Sequence, residues 1–384
     1  MARAPERPGR AGPLIGVDAS RLTVGQRTGT EQYTAHLLPA LLALPGPERF
    51  RLYFNRPPVA LPPLPAHAEA RVIPFPCLWT HVRLARELRR QPPDLLFVPA
   101  HVLPFPCPAP AVVTVHDLGY LRFPAAHPWP ARRYLDLGTR WSAHAARRVI
   151  AVSAATKRDL VERYGVPAGK IDVVYHGVAA HFRPPADPAA ARATVEALGV
   201  RPPYILAVGT IQPRKNYPRL IAALARLRAE GHDLRLVIVG RTGWLAAETL
   251  AAPAACGVAS HVLFAGYLPD TALPALYAQA ACVALVSLHE GLGMPAAEAL
   301  ACGAPLVCAG TSALPEVAGA AALYCDPASV DSIAAALRTA LTDAERRAQL
   351  RALGLARAAT FTWERCAAAT LATLRAALAA GSPA

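Results

Sequence analysis

Lysine and aromatic residues are scarce in this sequence. Only three lysines occur in 384 residues, Lys157, Lys170 and Lys215, although Lys and Arg together number 40. Aromatic residues make up 7% of the chain and are not interleaved with the basic ones, which argues against a stacking platform for single-stranded nucleic acid. We therefore expect no nucleic-acid partner. The formal net charge of +14 suits an anionic membrane surface or a phosphate-bearing substrate. The alternative is an arginine-rich composition with an ordinary solvated surface.

Several catalytic and targeting motifs are also absent. The chain has no G-x-x-x-x-G-K-[ST] loop, no G-x-S-x-G turn and no Asp-x-Asp pair for a chelated Mg²⁺ or Mn²⁺. The 8 cysteines form no C-x-x-C pair and have no His at zinc-ligand spacing, so we predict no metal site, no cofactor and a reduced, cytoplasmic setting. No apolar run reaches the length of a membrane span, and the N-terminus lacks a signal-peptide pattern. Any membrane contact is therefore expected to be peripheral.

The length of 384 residues, of which 53% are hydrophobic, predicts two globular domains. Short apolar runs alternate with helical patterns twice along the chain, which predicts two doubly wound α/β domains with parallel sheets. We place a tail at 1–13, an N-terminal domain at 14–182 and a C-terminal domain at 183–361. A last helix at 362–384 is expected to pack back across the domain junction. Such domains direct the carboxyl ends of their strands toward a shared ligand-binding cleft.

Ten runs are predicted to form the strands. They lie at 14–18, 50–54, 94–98, 111–115, 148–152, 204–208, 234–239, 262–264, 283–286 and 306–308. Helical periodicity is clearest at 30–44 and 363–379, and the Pro-rich segment 183–188 reads as the linker between the domains.

The strongest motif is a glycine-rich turn between two glutamates, Glu290-Gly-Leu-Gly-Met-Pro-Ala-Ala-Glu298, at the end of a predicted strand. Pro295 suits the first turn of a following helix, where its missing N–H would have no partner anyway. Free amides and the positive end of the dipole at such a helix N-terminus suit a diphosphate. Glu298 can then accept hydrogen bonds from ribose hydroxyls, and Glu290 lies where a hexose would bind. The alternative is a helix-capping glutamate and a solvated one.

A second motif, Gly209-Thr-Ile-Gln-Pro-Arg214-Lys215-Asn216, also follows a predicted strand directly. Two adjacent cations facing a cleft can neutralise the charge that grows on a diphosphate leaving group, a task that a metal ion performs elsewhere. Taken alone, the pair is equally compatible with an ordinary exposed surface.

Two weaker signals lie in the N-terminal half. His116 and Asp117 end a buried strand, and His116 can hydrogen-bond a substrate sugar or move a proton. A single His at a strand end is, however, commonly structural. Gly29 opens the first predicted helix and can approach either substrate, although any strand-to-helix turn can look this way.

These motifs resemble, in order and over nearly the whole chain, those of the retaining glycosyltransferases of family 4, which have the GT-B fold. The resemblance rests on Thr28-Gly29, Val115 to Leu118, Ala151 to Lys157, Lys170 to Val178, Pro213 to Asn216, Val239-Gly240, and Glu290 with Glu298. The glutamate pair and the Arg-Lys loop are its most specific parts. Gly-Thr-x-x-Pro-Arg-Lys-Asn and the segment Val239 to Trp244 look most like those of bacterial O-antigen and polysaccharide mannosyltransferases.

The resemblance implies two Rossmann-like domains facing a central cleft, and metal-independent, retaining transfer of a hexose from a nucleotide sugar. GDP-mannose is the expected donor, with UDP-linked hexoses next. The expected acceptor is a glycan or polyprenyl-linked glycan at the inner face of the plasma membrane. The implied catalytic residues are His116, Arg214, Lys215 and Glu290. The implied donor-binding residues are Gly29, Gly209, Arg214, Lys215, Glu290, Gly291, Leu292, Gly293, Met294 and Glu298. One departure is that Gln26-Arg27-Thr28 precede a single Gly29, where many relatives carry paired glycines.

Two other functions remain open at this point. A different GT-B enzyme, such as a sugar-nucleotide epimerase, would share the cleft but convert its donor without an acceptor. A catalytically inactive scaffold would bind a nucleotide sugar or a partner without transferring anything. The intact charged positions argue against the scaffold, and the combination of cations and glutamates argues against the epimerase.

Overall fold

The structure is a computed structural model that describes residues 12–24, 29–58, 63–124 and 129–380. Most of the predicted tail at 1–13 and residues 25–28 of the first loop lie outside these ranges.

The N-terminal domain is built on a seven-stranded parallel sheet with the order β3-β2-β1-β4-β5-β6-β7. Its strands are β1 (Leu14–Asp18), β2 (Arg49–Phe54), β3 (Ala68–Val72), β4 (Leu95–Val98), β5 (Ala111–Val115), β6 (Arg148–Ala151) and β7 (Ile171–Val173). The apolar runs in the sequence did not predict the two edge strands, β3 and β7. β3 is mostly exposed or half-buried and β7 has only three residues, so neither carries an apolar run.

Helices cover both faces of this sheet and separate its core into two layers. They are α1 (Gly29–Leu42), α2 (Ala85–Arg90), α3 (Gly119–Arg122), α4 (Trp129–Ala145) and α5 (Ala154–Tyr164). The sequence predicted the first of these at 30–44, within two residues at each end. Helix α5 begins where the Ser153 side chain accepts a hydrogen bond from the Thr156 amide, and it ends at Gly165, whose φ of 66° suits glycine.

The C-terminal domain has a six-stranded parallel sheet with the order β10-β9-β8-β11-β12-β13. Its strands are β8 (Tyr204–Val208), β9 (Arg235–Val239), β10 (Val262–Gly266), β11 (Cys282–Leu285), β12 (Leu306–Ala309) and β13 (Ala322–Cys325). Its helices are α6 (Pro188–Ala197), α7 (Tyr217–Ala229), α8 (Ala247–Ala255), α9 (Leu273–Gln279), α10 (Met294–Ala301), α11 (Leu314–Ala318), α12 (Val330–Thr342) and α13 (Ala344–Ala358). The sequence missed β13, which is another edge strand.

The segment predicted as a linker, 183–188, is one residue too long. The Asp187 carboxylate caps the first turn of α6 by accepting the amides of Ala189 and Ala190, at 2.8 and 3.1 Å, and Pro188 is the first residue of that helix. A proline is tolerated there because the first helical amide needs no partner within the helix.

The last helix, α14 (Trp363–Ala379), packs against α1 of the N-terminal domain. Its buried face, which includes Leu371 and Leu374, shares a core layer with Leu37. The Arg375 guanidinium also pairs with the Glu48 carboxylate, at 2.7 Å. Among the described residues, no helix is long and apolar enough to cross a membrane.

Truncation of Leu374, which is fully buried, tests how much α14 contributes to the N-terminal core. We expect Leu374→Ala to lower the free energy of unfolding by about 2–5 kcal/mol, because it removes buried methyl groups and leaves a cavity. Leu353→Ala, on the exposed side of α13, is the matched control and should cost under about 1 kcal/mol. Urea unfolding measures both values, and equal effects would show that α14 does not anchor this core.

Candidate active site

The carboxyl ends of both sheets face a cavity of about 550 Å³ between the two domains. All the catalytic and donor-binding residues that the family resemblance implies line this cavity. They are Gly29, His116, Gly209, Arg214, Lys215, Glu290, Gly291, Leu292, Gly293, Met294 and Glu298. The structure therefore brings together side chains from the loops that follow β5, β8 and β11, as expected for parallel sheets that share a cleft.

Glu290 lies at the centre of the charged groups in this cavity. Its carboxylate accepts hydrogen bonds from Arg214 Nη1 at 2.9 Å and from Lys215 Nζ at 2.7 Å. The sequence analysis treats the cations and the glutamate as separate motifs, whereas the structure joins the three groups directly. Burial alone would raise the pKa of Glu290, but the Lys215 ammonium and the Arg214 guanidinium outweigh burial and hold that pKa well below its ordinary value. The carboxylate is therefore ionised at neutral pH.

Backbone conformation directs the two cations into the cavity. Pro213–Lys215 form one turn of 3₁₀ helix, followed by Asn216 with a left-handed φ of 61°. The Asn216 side chain donates to the carbonyls of Val286 and Pro327, which holds this turn against the loops after β11 and β13. Gly209 leaves room for the ammonium, because a Cβ there would lie 2.8 Å from Lys215 Cε.

The glycine turn after Glu290 has the geometry that the sequence predicts. Gly293 has a φ of 87° and immediately precedes α10, and Pro295 lies in the first turn of that helix. Gly291 is required for a different reason, since a Cβ there would lie 1.9 Å from the His116 carbonyl oxygen of the other domain. The turn thus combines a helix N-terminus that can seat a phosphate with a close backbone contact between the domains.

Glu298 lies on α10, about one turn from its start, and its carboxyl accepts the Tyr277 hydroxyl at 2.8 Å. Burial raises the pKa of Glu298 to about 7, although the hydrogen bond from Tyr277 lowers it. Glu298 therefore changes its charge near neutral pH, whereas Glu290, eight residues earlier, does not.

His116 faces the cavity from the N-terminal domain. Its Nε2 lies 3.1 Å from the Pro99 carbonyl oxygen, which can only accept, so Nε2 carries the proton and Nδ1 is left as an acceptor. Burial lowers the pKa of His116, so the ring is neutral at physiological pH. This arrangement favours hydrogen bonding to a sugar hydroxyl over movement of a proton. Gly29 is the first residue of α1 and has open space around it.

Sequence reasoning missed several side chains of the cavity. Asp117 lies close enough to Arg214 for the guanidinium to lower its pKa against the opposing effect of burial. Tyr33 and His176 are stacked at 4.4 Å between ring centroids, and Trp363 of α14 lies beside His176. Asp117 had a usable signal in its position next to His116 at a strand end, and His176 lies in the segment 170–178 that carries the family resemblance. Tyr33 and Trp363 are placed by the packing of distant segments.

Two family profiles match most of the chain. Residues 29–182 match "Glycosyltransferase Family 4" and residues 193–355 match "Glycosyl transferases group 1". The chain is 33% identical over 270 residues to O-antigen chain mannosyltransferase B of Escherichia coli, with 68% of this chain and 69% of that protein covered. This chain is a GT-B glycosyltransferase. It resembles mannosyltransferases in particular.

Other similar proteins include the D-inositol 3-phosphate glycosyltransferase of Nocardia farcinica, 34% identical over 283 residues, which cover 70% of this chain and 62% of that protein. Among solved structures, Anabaena Alr3699/HepE in complex with UDP and glucose gives a TM-score of 0.74 at 19% identity, covering 94% of this chain and 99% of that one. WaaG, a glycosyltransferase involved in lipopolysaccharide biosynthesis, gives 0.71 at 18% identity, covering 93% and 99%. These structural matches establish the two-domain fold.

The ionisation of Glu298 allows its predicted contact with the donor ribose to be tested by varying the pH. Ribose hydroxyls donate hydrogen bonds, so they bind the ionised carboxylate better than the neutral acid. Because the pKa of Glu298 is raised to about 7, its ionised fraction rises between pH 6 and pH 8. We expect the affinity for an intact nucleotide sugar to increase about tenfold over this range, measured by calorimetry.

Glu298→Gln should remove most of this pH dependence, since an amide does not titrate. Tyr277→Phe should move the midpoint to higher pH, because it removes the hydrogen bond that lowers the pKa of Glu298. An unchanged pH profile in Glu298→Gln would show that Glu298 does not contact the donor.

Proposed function

We propose that this glycosyltransferase moves a hexose with retention of anomeric configuration, and without a metal ion, from a nucleotide sugar to a glycan or polyprenyl-linked glycan. The proposed donor is GDP-mannose, and the proposed setting is synthesis of a cell-surface polysaccharide at the cytoplasmic face of the membrane. The observation that carries this proposal is the cluster of Arg214, Lys215 and Glu290 beside the N-terminus of α10.

The cluster suits a diphosphate leaving group. Arg214, Lys215 and Glu290 together leave one net positive charge next to the positive end of a helix dipole, and the Asp117 carboxylate near Arg214 offsets part of it. In the proposed reaction, the bond from the anomeric carbon to the donor phosphate oxygen breaks while the acceptor oxygen bonds to the same face of that carbon. The departing phosphate oxygen takes the acceptor's proton. Arg214 and Lys215 stabilise the charge that develops on the phosphate, so the protein need not supply a nucleophile.

The similar proteins support the choice of sugar and of polysaccharide synthesis. Relatives named as an O-antigen chain mannosyltransferase and a serotype-specific mannosyltransferase are 33% and 35% identical to this chain over the matched residues. Structural neighbours were solved with UDP, glucose and UDP-glucose, which supports nucleotide-sugar binding but points to a different base. The sequence relatives favour mannose, and GDP is the usual carrier of an activated mannose.

Purified protein, incubated with GDP-mannose, EDTA and a lipid-linked acceptor, should form a product with an α-mannosidic bond. Lys215→Ala should reduce kcat about 10²- to 10³-fold, because it removes one of the charges that stabilise the leaving group. Lys170→Ala is the matched control, since Lys170 is a lysine outside the cavity that donates to the His144 carbonyl. Its activity should equal that of the wild type.

Three results would count against this reaction. An inverted product, or a requirement for a divalent metal, would contradict the retaining, metal-independent mechanism. Conversion of the free donor to an epimer without an acceptor would favour the epimerase alternative. Equal and weak binding of GDP- and UDP-linked sugars in calorimetry would contradict a dedicated site for GDP-mannose.

An exposed surface of the N-terminal domain supports a lipid-linked acceptor. Helix α4 exposes Trp129, Tyr134 and Leu137, and the first and last of these are both 61% exposed. Phe105, which is 62% exposed, adjoins α4 through His81, whose ring bonds both the Phe105 amide and the Tyr134 hydroxyl. We call these four exposed side chains the apolar surface.

Arginines accompany the apolar surface. The Arg133 guanidinium lies 5.4 Å from the centre of the Trp129 ring, and Arg140 lies exposed on the same helix. Exposed apolar side chains beside cations are typical of a surface that enters the interface of an anionic bilayer. The apolar surface would thus dock on anionic lipid and hold the N-terminal domain at the membrane. In this proposal the N-terminal domain is the acceptor-side domain, and the C-terminal domain is the donor-side domain.

Vesicle sedimentation tests this docking. The protein should bind vesicles that contain phosphatidylglycerol and not those of phosphatidylcholine alone. Leu137→Glu should weaken the binding about tenfold. It replaces an apolar side chain, which would be buried in the bilayer interface on binding, with a charge that anionic lipid repels. Leu353→Glu places the same charge on the exposed face of α13 as the control. Equal effects of the two variants would exclude the apolar surface as the contact.

A further inference from the structure

Glu316 of the C-terminal domain caps the first turn of a helix in the N-terminal domain. Its carboxylate accepts the amides of Ala154 and Ala155, at 2.7 and 2.6 Å, which are the first two residues of α5. The Tyr175 hydroxyl donates to the same carboxylate at 3.2 Å, and Arg158 approaches it at 3.8 Å. A carboxylate at a helix N-terminus combines charge-assisted hydrogen bonds with a favourable dipole.

Ser153, which immediately precedes α5, makes a second contact across the same boundary. Its Oγ donates to the Gly291 carbonyl at 2.5 Å while it accepts the Thr156 amide at 3.0 Å. Gly291 belongs to the turn between Glu290 and α10, where the donor phosphate is proposed to bind. One helix N-terminus of the acceptor-side domain is thus attached to the donor-side domain at two points. One of those points is the candidate phosphate site itself.

We propose that Glu316 and Ser153 are positioning residues that hold the two domains in the arrangement needed for transfer. The proposal rests on the proposed function, since it assigns these contacts to alignment of the acceptor side with the donor. Neither side chain contacts the reacting atoms. Glu316 holds the two domains together at their boundary. Ser153 holds the Gly291 turn against the segment that carries His116.

The chemistry of the contact suits a reversible closure. The helix already has its own cap in Ser153, so α5 does not need Glu316 in order to form. If the domains separate, water can hydrogen-bond both the Glu316 carboxylate and the free amides of α5. The gain from closure is therefore modest, and the domains can open to release product. Arg357 donates to the Glu316 backbone carbonyl, which holds the residue on its own domain in either state.

Glu316→Ala and Glu316→Gln test whether Glu316 holds the two domains in the arrangement needed for transfer. We expect kcat to fall about 10- to 100-fold in both, the range typical of losing hydrogen bonds to a charged group. Donor affinity measured by calorimetry should change less than about twofold, because the partners of the Glu316 carboxylate are Ala154, Ala155 and Tyr175 of the N-terminal domain, and the donor-binding groups remain intact. In solution scattering, the radius of gyration should increase relative to the wild type.

Asp343→Ala is the matched control, because the Asp343 carboxylate also caps a helix, α13, by accepting the Arg346 amide at 2.8 Å. That helix lies within one domain, so the variant should lose a similar cap without a change in kcat or in the radius of gyration. Thermal unfolding of each variant confirms that the comparison is made on folded protein.

The outcomes distinguish the proposed positioning role of Glu316 from the proposed function. Unchanged kcat and unchanged scattering in both Glu316 variants would overturn the positioning role. So would a loss of donor affinity that matches the loss of kcat, which would make Glu316 a support of the donor site instead. Failure of the wild type to bind any nucleotide sugar would refute the proposed function, and the scattering comparison would still decide whether Glu316 holds the domains together.

Discussion

The buried carboxylate of Glu290 is the constraint on which the rest of the site depends. A charge taken out of water is costly unless it is paired, and here two cations compensate it. Those cations must come from a different loop, so the turn after β8 is fixed against the turn after β11. The amide of Leu288 donates to the Arg214 carbonyl, which adds a backbone contact to the ionic ones. The glycine at 209 and the left-handed Asn216 follow from the same requirement, since they let Lys215 reach the carboxylate.

The same charged cluster lies at the boundary between the domains. Arg214 lowers the pKa of Asp117, which belongs to the N-terminal domain, and the backbone at His116 touches Gly291. The electrostatics of the C-terminal domain and the geometry of the N-terminal domain at this boundary therefore depend on each other. Any opening of the domains would change the surroundings of Arg214 and expose Asp117 to water. This dependence gives a physical reason why a glycosyltransferase with two domains places its charged groups at their boundary.

Much of this architecture can be predicted from local patterns, and the remainder depends on contacts distant in sequence. Buried central strands such as β5 and β8 are continuous apolar runs, so the sequence identifies them, whereas β3 is half-exposed and alternates with charge. The residues of the Glu290 turn are recognisable because glycine, proline and glutamate each have a local reason to occur there. Trp363 and Tyr277 have none, because only the packing of α14 brings Trp363 to the cavity and only the packing of α9 brings Tyr277 to Glu298. For the same reason, the direct pairing of Glu290 with Lys215 could not be read from either motif alone.

Two glutamates eight residues apart ionise over different pH ranges in this site, because their surroundings shift the two pKa values in opposite directions. Burial acts on both, but Glu290 has two cations within hydrogen-bonding distance while Glu298 has a neutral phenol. Glu290 is thereby kept as a permanent anion, which prevents the cations from presenting their full charge to the cavity. In the proposed reaction, the charge that remains on these three groups would match only part of a diphosphate, and the helix N-terminus at Gly293 would add to it. Charge on the phosphate would increase as the sugar leaves, and the attraction of the cluster for it would increase with that charge. The proposed arrangement would therefore favour the state in which the bond is breaking over the intact donor, which is the condition for an acceleration of the reaction.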